Sequence, residues 1–274
     1  FVNDSGTAIA NRLGTRPISI AGGTIAYRAN GTSNSSETLG ALTVNAGAAT
    51  LSISNAGSAQ SLLTFSSLAS NVVAAQGVLV FQSDTTFGTA QNQVKFTTAP
   101  TLTPASTGII QRGVVIDPNG TNFATLANGS IAAFSYGSYA TNGGTVVTMN
   151  LSSGTLLGLN ATQVTDNVKL TTSSTDLTSP GLANRTINSL LLSGSVDLGF
   201  ATSGGMNLVV TSGNILATGG SSSIGSAAYV AAGASPLLST NTTETALLVD
   251  AGSSLTLNAS LVGTAALNKG LGGN

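Results

Sequence analysis

The feature that most constrains this chain is a unit that returns along its length: an apolar run, a small residue, glycine, one or two further residues, then a second apolar run. It stands in "ALTVNAGAATLSI" (41–53), "ISIAGGTIAY" (18–27), "VVTMNLSSGTLLGL" (146–159), "LLLSGSVDLGF" (190–200), "LVVTSGNILAT" (208–218) and "LLVDAGSSLTL" (247–257). Alternation at period two predicts half-buried strands. The question is what the shared glycines, Gly23, Gly47, Gly154, Gly194, Gly213 and Gly252, do between them. A hairpin asks for Asn-Gly or Asp-Gly tightly flanked by strands. The Asn-Gly pairs at Asn30, Asn119, Asn128 and Asn142 sit mostly in longer polar stretches. A glycine that supplies a positive φ lets one strand run into the next on an adjoining face, so these six positions are expected to be corners.

Corners repeated in this way predict an all-β fold, a right-handed parallel β-helix (β-solenoid) whose layers stack about 4.8 Å apart. At roughly 20–25 residues per coil, the chain would make about a dozen coils. The alternative is an antiparallel β-sandwich acting as a filament subunit, which the same strand propensities also permit. Helical periodicity is nearly missing, and "SLLTFSSLASNVVAAQ" (61–76) is its nearest approach. The proline-bearing "TTAPTLTPASTG" (97–108) reads as a loop, because similar strand patterns resume on both sides. Residues 117–130 and 172–185 are also rich in turn formers. No internal boundary is evident, so residues 1–274 are expected to be one array, belonging to a longer chain or assembly.

Charged residues are 6% of the chain, where about 25% is usual. Serine, threonine, asparagine and glycine meet water in their place. A net charge of −1 with eight scattered Lys and Arg offers no basic face for a nucleic-acid backbone. It also gives little repulsion between copies, which permits self-association. Mean hydropathy is +0.34, and no charge falls between Asp197 and Glu244. That stretch is broken by glycine clusters and contains no run of about 20 apolar residues, so no transmembrane helix is expected. The absence of cysteine excludes disulfides and thiolate metal sites.

Longer phrases add a resemblance. "ETLGALTVNAGAATLSI" (37–53), "RTINSLLLSGSVDLGF" and "MNLVVTSGNILATGG" (185–220) and "LLVDAGSSLTLNASLVGTAALNKGLGG" (247–273) resemble the autotransporter-associated β-strand repeat proteins. The resemblance implies a secreted or surface-exposed bacterial protein with a β-helical passenger region, in a family that includes many adhesins. Leu267, Lys269, Gly270 and Gly272 follow some of the family's repeat junction, while Asn268 stands where threonine is usual.

Catalytic and metal chemistry find little support in the residues. Histidine is absent, which removes the usual general base. Lys95, Lys169 and Lys269 have no serine at Ser-x-x-Lys spacing and read as solvent-facing. Of the nine acids, Asp4, Glu37, Asp84, Asp117, Asp166, Asp176, Asp197, Glu244 and Asp250, most fall in or beside turns, where aspartate often bonds local backbone. "IDPNGTN" (116–122) carries too little negative charge for calcium. No enzyme activity, cofactor or metal is therefore expected.

Asn-x-Ser/Thr triplets are frequent, and the turn-located Asn30, Asn34, Asn119 and Asn241 are the candidate glycosylation sites. Tyr136 and Tyr139 offer faces for sugar rings or fill a core. The expected function is that of a non-enzymatic extracellular or bacterial cell-surface structural protein. It would build a fibre, filament or adhesin stalk by end-to-end stacking, or by donating a strand from residues 1–13 or from the tail at 258–274. Expected partners are further copies or a continuation of the same chain, with glycans possible and no nucleic acid. The alternative is a polysaccharide-binding or polysaccharide-cleaving β-helix.

Overall fold

A computed structural model describes residues 2–69, 77–105, 108–136, 148–149, 164–171, 173–177, 184–200, 207–225, 237–240, 244–263 and 266–274. The described elements are all β, and strands pair mainly in parallel across successive turns. The fold is a β-solenoid of about 8 turns. The sandwich alternative fails because consecutive strands such as Leu42–Val44 and Gly47–Asn55 pair with neighbouring turns and not with each other. The chain divides into two compact units, residues 1–134 and 135–274, each with its own apolar core.

The first unit runs β1 (Val2–Asn3), β2 (Ile18–Ile20), β3 (Gly23–Ala29), β4 (Ser35–Leu39), β5 (Leu42–Val44), β6 (Gly47–Asn55) and β7 (Ser61–Ser67). It continues with β8 (Gly77–Ser83), β9 (Asn92–Thr98), β10 (Leu102–Thr103), β11 (Ile109–Ile110), β12 (Gly113–Asp117), β13 (Gly120–Ala127) and β14 (Ser130–Ala133). Strands β1, β3, β6, β8 and β12 stack in parallel on one side of the coil, β4, β7 and β9 on a second, and β2 and β5 on a third. Inward side chains form columns: Ile25, Leu51, Phe81 and Val115 align on the first side. On the second, Leu39, Phe65 and Phe96 align. The Phe65 and Phe96 rings stack at 5.7 Å, with Phe81 edge-on to Phe96 at 6.4 Å. Columns of this kind bury apolar area continuously, which a single turn could not do alone.

Turns are longer than the sequence suggests. Gly23 pairs with Ala49, Ser61 with Asn92 and Leu79 with Gly113, advances of 26, 31 and 34 residues. Loops let out at the corners account for the difference, and so for fewer turns than a dozen. Within the proline-rich stretch at 97–108, Thr97 and Thr98 complete β9 and do not open a loop, and β10 then pairs antiparallel with β11 in an excursion from the coil. The segment with helical character at 61–76 opens instead as β7.

Residues 117–130 depart from the solenoid plan. Asn128 and Gly129 have φ of 51° and 74°, the pattern of a type I′ hairpin turn. Pro118 and Asn119 form a second two-residue connection, so β12, β13 and β14 make an antiparallel meander. Strand β14 then pairs antiparallel with β9, while β12 lies parallel to β8. The meander thereby joins two sides of the coil and occupies the edges the last parallel strands would leave open.

The second unit runs β15 (Thr148–Met149), β16 (Asn167–Leu170), β17 (Ser174–Leu177), β18 (Arg185–Ser193), β19 (Asp197–Phe200) and β20 (Asn207–Thr218). It ends with β21 (Ser221–Ile224), β22 (Leu237–Ser239), β23 (Glu244–Val249), β24 (Ser254–Leu257), β25 (Ser260–Val262) and β26 (Ala266–Gly270). One sheet carries β15, β16, β18, β20, β22 and β25, with β23 and β26 continuing it, and the other carries β17, β19, β21 and β24. Leu190, Ile215 and Leu247 form one core column and Leu192, Ala217 and Val249 another. The uncharged stretch between Asp197 and Glu244 thus supplies core strand, and no helix among the described residues is long and apolar enough to cross a membrane. Inside the same stack the Asn167 Oδ1 accepts from the Asn188 amide and the Ser189 hydroxyl, each at 2.7 Å. These two donors satisfy the buried Asn167 oxygen, which would be costly to bury alone.

Candidate functional site

The six repeated glycines divide into distinct structural roles. Gly47 has φ +97° and opens β6 after the corner that follows β5; Gly23, at +89°, opens β3 after the same corner one turn earlier. Gly194 (+103°) separates β18 from β19 and Gly252 (+77°) separates β23 from β24. Gly213 (+70°) lies within β20, where the strand passes from its pairing with β22 to its pairing with β23. Gly154 lies outside the described residues. A different set of glycines is required by space. A Cβ on Gly57 would lie 2.0 Å from the Gly31 carbonyl oxygen, and one on Gly77 would lie 2.3 Å from that of Asn45. No apolar pattern marks these positions, because the contact is between turns far apart in sequence.

Asp84, Asp117 and Glu37 are used as backbone anchors. Asp84 accepts the Asn55 backbone N–H at 3.0 Å and the Asn92 amide at 2.6 Å. Asp117 accepts the Phe87 N–H at 3.0 Å and the Asn119 N–H at 2.8 Å, which makes "IDPNGTN" a hairpin connection. Asp197 receives the Ser223 hydroxyl. In the first turn the Arg12 guanidinium pairs with the fully buried Asp4, which also accepts the Tyr27 hydroxyl at 3.2 Å. Glu37, equally buried, accepts the backbone N–H groups of Arg12 and Leu13. Residues 2–13 are thus built into the first turn, with Val2 paired to Tyr27 and Asn11 donating to the Ser36 carbonyl. Burial first, with the Asp4 charge adding to it and a Ser35 hydrogen bond opposing it, pushes the Tyr27 phenol up to about 12. The contacts of Asn11, Arg12 and Leu13 with Ser36 and Glu37 hold this segment against β4.

Of the lysines, Lys169 Nζ lies 5.8 Å from the centre of the Tyr136 ring and Lys269 donates to the Gly273 carbonyl. Lys95 pairs with Ser130 through the strand backbone. Tyr136 is half-buried with its hydroxyl oxygen in the interior, and burial pushes that phenol up. Tyr139 lies outside the described residues. Among the described residues no three His, Cys, Asp or Glu side chains come together as a metal-ion cluster.

Asn30 is corrected as a glycosylation candidate. It is 5% exposed, its amide donates to the carbonyls of Asp4, Ser5 and Gly6, and its Oδ1 accepts from Thr32 and Ser33. A turn position proved to be an interior brace between two coils. Asn34 and Asn119 are exposed, and Asn241 lies outside the described residues.

Asn34 also helps line an open groove of about 770 Å³ in the first unit, together with Ser58, Gln60, Thr86, Thr89 and Gln91. Asn34, Gln60 and Gln91 immediately precede β4, β7 and β9, whose first residues Ser35, Ser61 and Asn92 are in register. The three amides therefore occupy the same corner of three successive turns. Sequence periodicity missed this groove, since its residues belong to no apolar pattern and share only their place ahead of a strand.

No family model, curated protein or solved structure matches this chain.

Proposed function

We propose that this chain is a non-enzymatic structural module of an extracellular or bacterial cell-surface fibre, extended by strand pairing at the last turn of its second unit. The observation that carries the reading is the contrast between β23 and β26. Every residue of β23 is buried by the turn stacked on it, whereas Ala266 and Leu267 of β26 are exposed at the equivalent places. Leu261, Val262 and Leu267 are 39%, 44% and 52% exposed, and β25 and β26 each pair on one edge among the described residues. Apolar side chains on an open parallel edge are the surface another turn of the same kind would cover. The low charge of the chain opposes such contact weakly. The docking of residues 2–13 in their own first turn favours the C-terminal turn over these residues as the assembling element.

The surface placement rests on composition and on the resemblance to autotransporter-associated β-strand repeat proteins. Negative-stain microscopy and sedimentation of the purified chain test the assembly. Concentration-dependent linear particles are expected, and a chain that stays monomeric at every concentration overturns the reading.

A further inference from the structure

The groove beside β4, β7 and β9 is lined by neutral polar side chains, Asn34, Ser58, Gln60, Thr86, Thr89 and Gln91. Its lining contains no ionisable side chain. The two nearest carboxylates in sequence, Asp84 and Asp117, are committed to the Asn55 and Phe87 backbone and the Asn92 amide. The side chains of Gln60 and Ser58 make no hydrogen bond to protein among the described residues. The Asn34 Oδ1 accepts the Gln60 backbone N–H at 2.9 Å, leaving the Asn34 NH₂ without a protein partner there. Gln91 donates to the Gly57 carbonyl and keeps its own oxygen. Donors and acceptors are thus offered together, with no charge among them.

The opposite wall is fixed. Thr89 donates to the Thr86 carbonyl at 2.8 Å, and the Asn119 amide donates to the Thr86 hydroxyl at 3.0 Å. Asp117 ties the same loop to the hairpin through Phe87. A wall held by its own hydrogen bonds loses little freedom on binding.

We infer that this groove binds a neutral polyhydroxylated chain, of the class of linear neutral oligosaccharides. An anionic or cationic ligand would find no counter-charge on the lining, and its desolvation would go uncompensated. A polyol supplies both donors and acceptors, as the amides do. The amides recur once per layer, at about 4.8 Å, so they meet a chain at successive points. The volume and open form suit a segment of a few sugar units lying along the stack.

The test is an array of neutral and anionic oligosaccharides probed with the full chain, produced without glycosylation because Asn34 lies in an acceptor triplet. Isothermal titration of the neutral binders follows. Neutral oligosaccharides are expected to bind, with an affinity changing less than about twofold between roughly 0.05 and 0.5 M salt. The double variant Asn34→Ala with Gln60→Ala should weaken binding about tenfold or more. Asn45→Ala, which removes a bond to Ser19 elsewhere on the first unit, should leave it unchanged. Ser58→Leu should block the groove while deleting no protein hydrogen bond, so its loss of binding at an unchanged melting temperature separates occupancy from folding. Failure of every neutral oligosaccharide to bind, indifference to both groove variants, or a preference for anionic chains with steep salt dependence overturns the inference.

Discussion

The buried carboxylate of Glu37 accepts the backbone N–H of Arg12 at 2.8 Å, and through this bond a strandless segment is built into the first coil. Glu37 stands in register with Leu63, which stands in register with Val94. A charge thus heads an otherwise apolar column. It is tolerated because Leu13 also donates to it, at 3.2 Å, and a carboxylate holding two N–H groups recovers much of its lost hydration. Glu37→Ala should cost about 3 kcal/mol. Residues 4–17 should become the first site of proteolysis, read by mass spectrometry of limited digests.

The Tyr27 phenol lies beside the same network. Its folded-state value of about 12 exceeds the unfolded value near 10, so its neutral form is favoured by folding. The stabilisation is complete below pH about 10 and is lost as pH rises towards 12, a fall of roughly 2–3 kcal/mol. Chemical denaturation across that range should show this decline. Tyr27→Phe should flatten the pH dependence there, at the cost of the hydrogen bond to Asp4.

Two glycine substitutions should behave differently for different physical reasons. At Gly23 an added Cβ meets nothing within 4 Å, and only its φ of +89° opposes a side chain, so Gly23→Ala should cost about 1–2 kcal/mol. At Gly57 an added Cβ would collide with the Gly31 backbone of the adjoining turn. Gly57→Ala must push the adjoining layers away from each other and should cost more than about 3 kcal/mol. Urea midpoints of the two variants, measured together, check the order.

Phe65 is fully buried and stacked on Phe96. Phe65→Ala should cost about 3–5 kcal/mol, because the rigid column cannot collapse into the space left. Phe65→Leu should retain most of that stability, and thermal unfolding distinguishes the two.

Assembly through the last turn should respond to charge. Val262→Lys with Leu267→Lys places two ammonium groups along β25 and β26, a device that blocks edge pairing. Linear particles should disappear while circular dichroism remains that of the parent, since both side chains are exposed already. Persistence of the same particles would place the contact elsewhere.

Amino-acid sequence alone determined the strand content and the parallel coil. Alternation about Gly47, Gly194 and Gly252 reports a local requirement, a positive φ between two half-buried runs, and local requirements are written in adjacent residues. Three matters were decided only by tertiary structure. The turn length depended on how much loop the layers could let out at their corners. The meander at 113–133 depended on β14 finding β9, although its Asn128-Gly129 turn was visible as a dipeptide. The buried Asn30, the Gly31–Gly57 contact and the amide row at Asn34, Gln60 and Gln91 each join residues 24 to 31 positions apart. Stacking sets those neighbours, and a sequence read along one strand carries no record of which residue lies in the layer above.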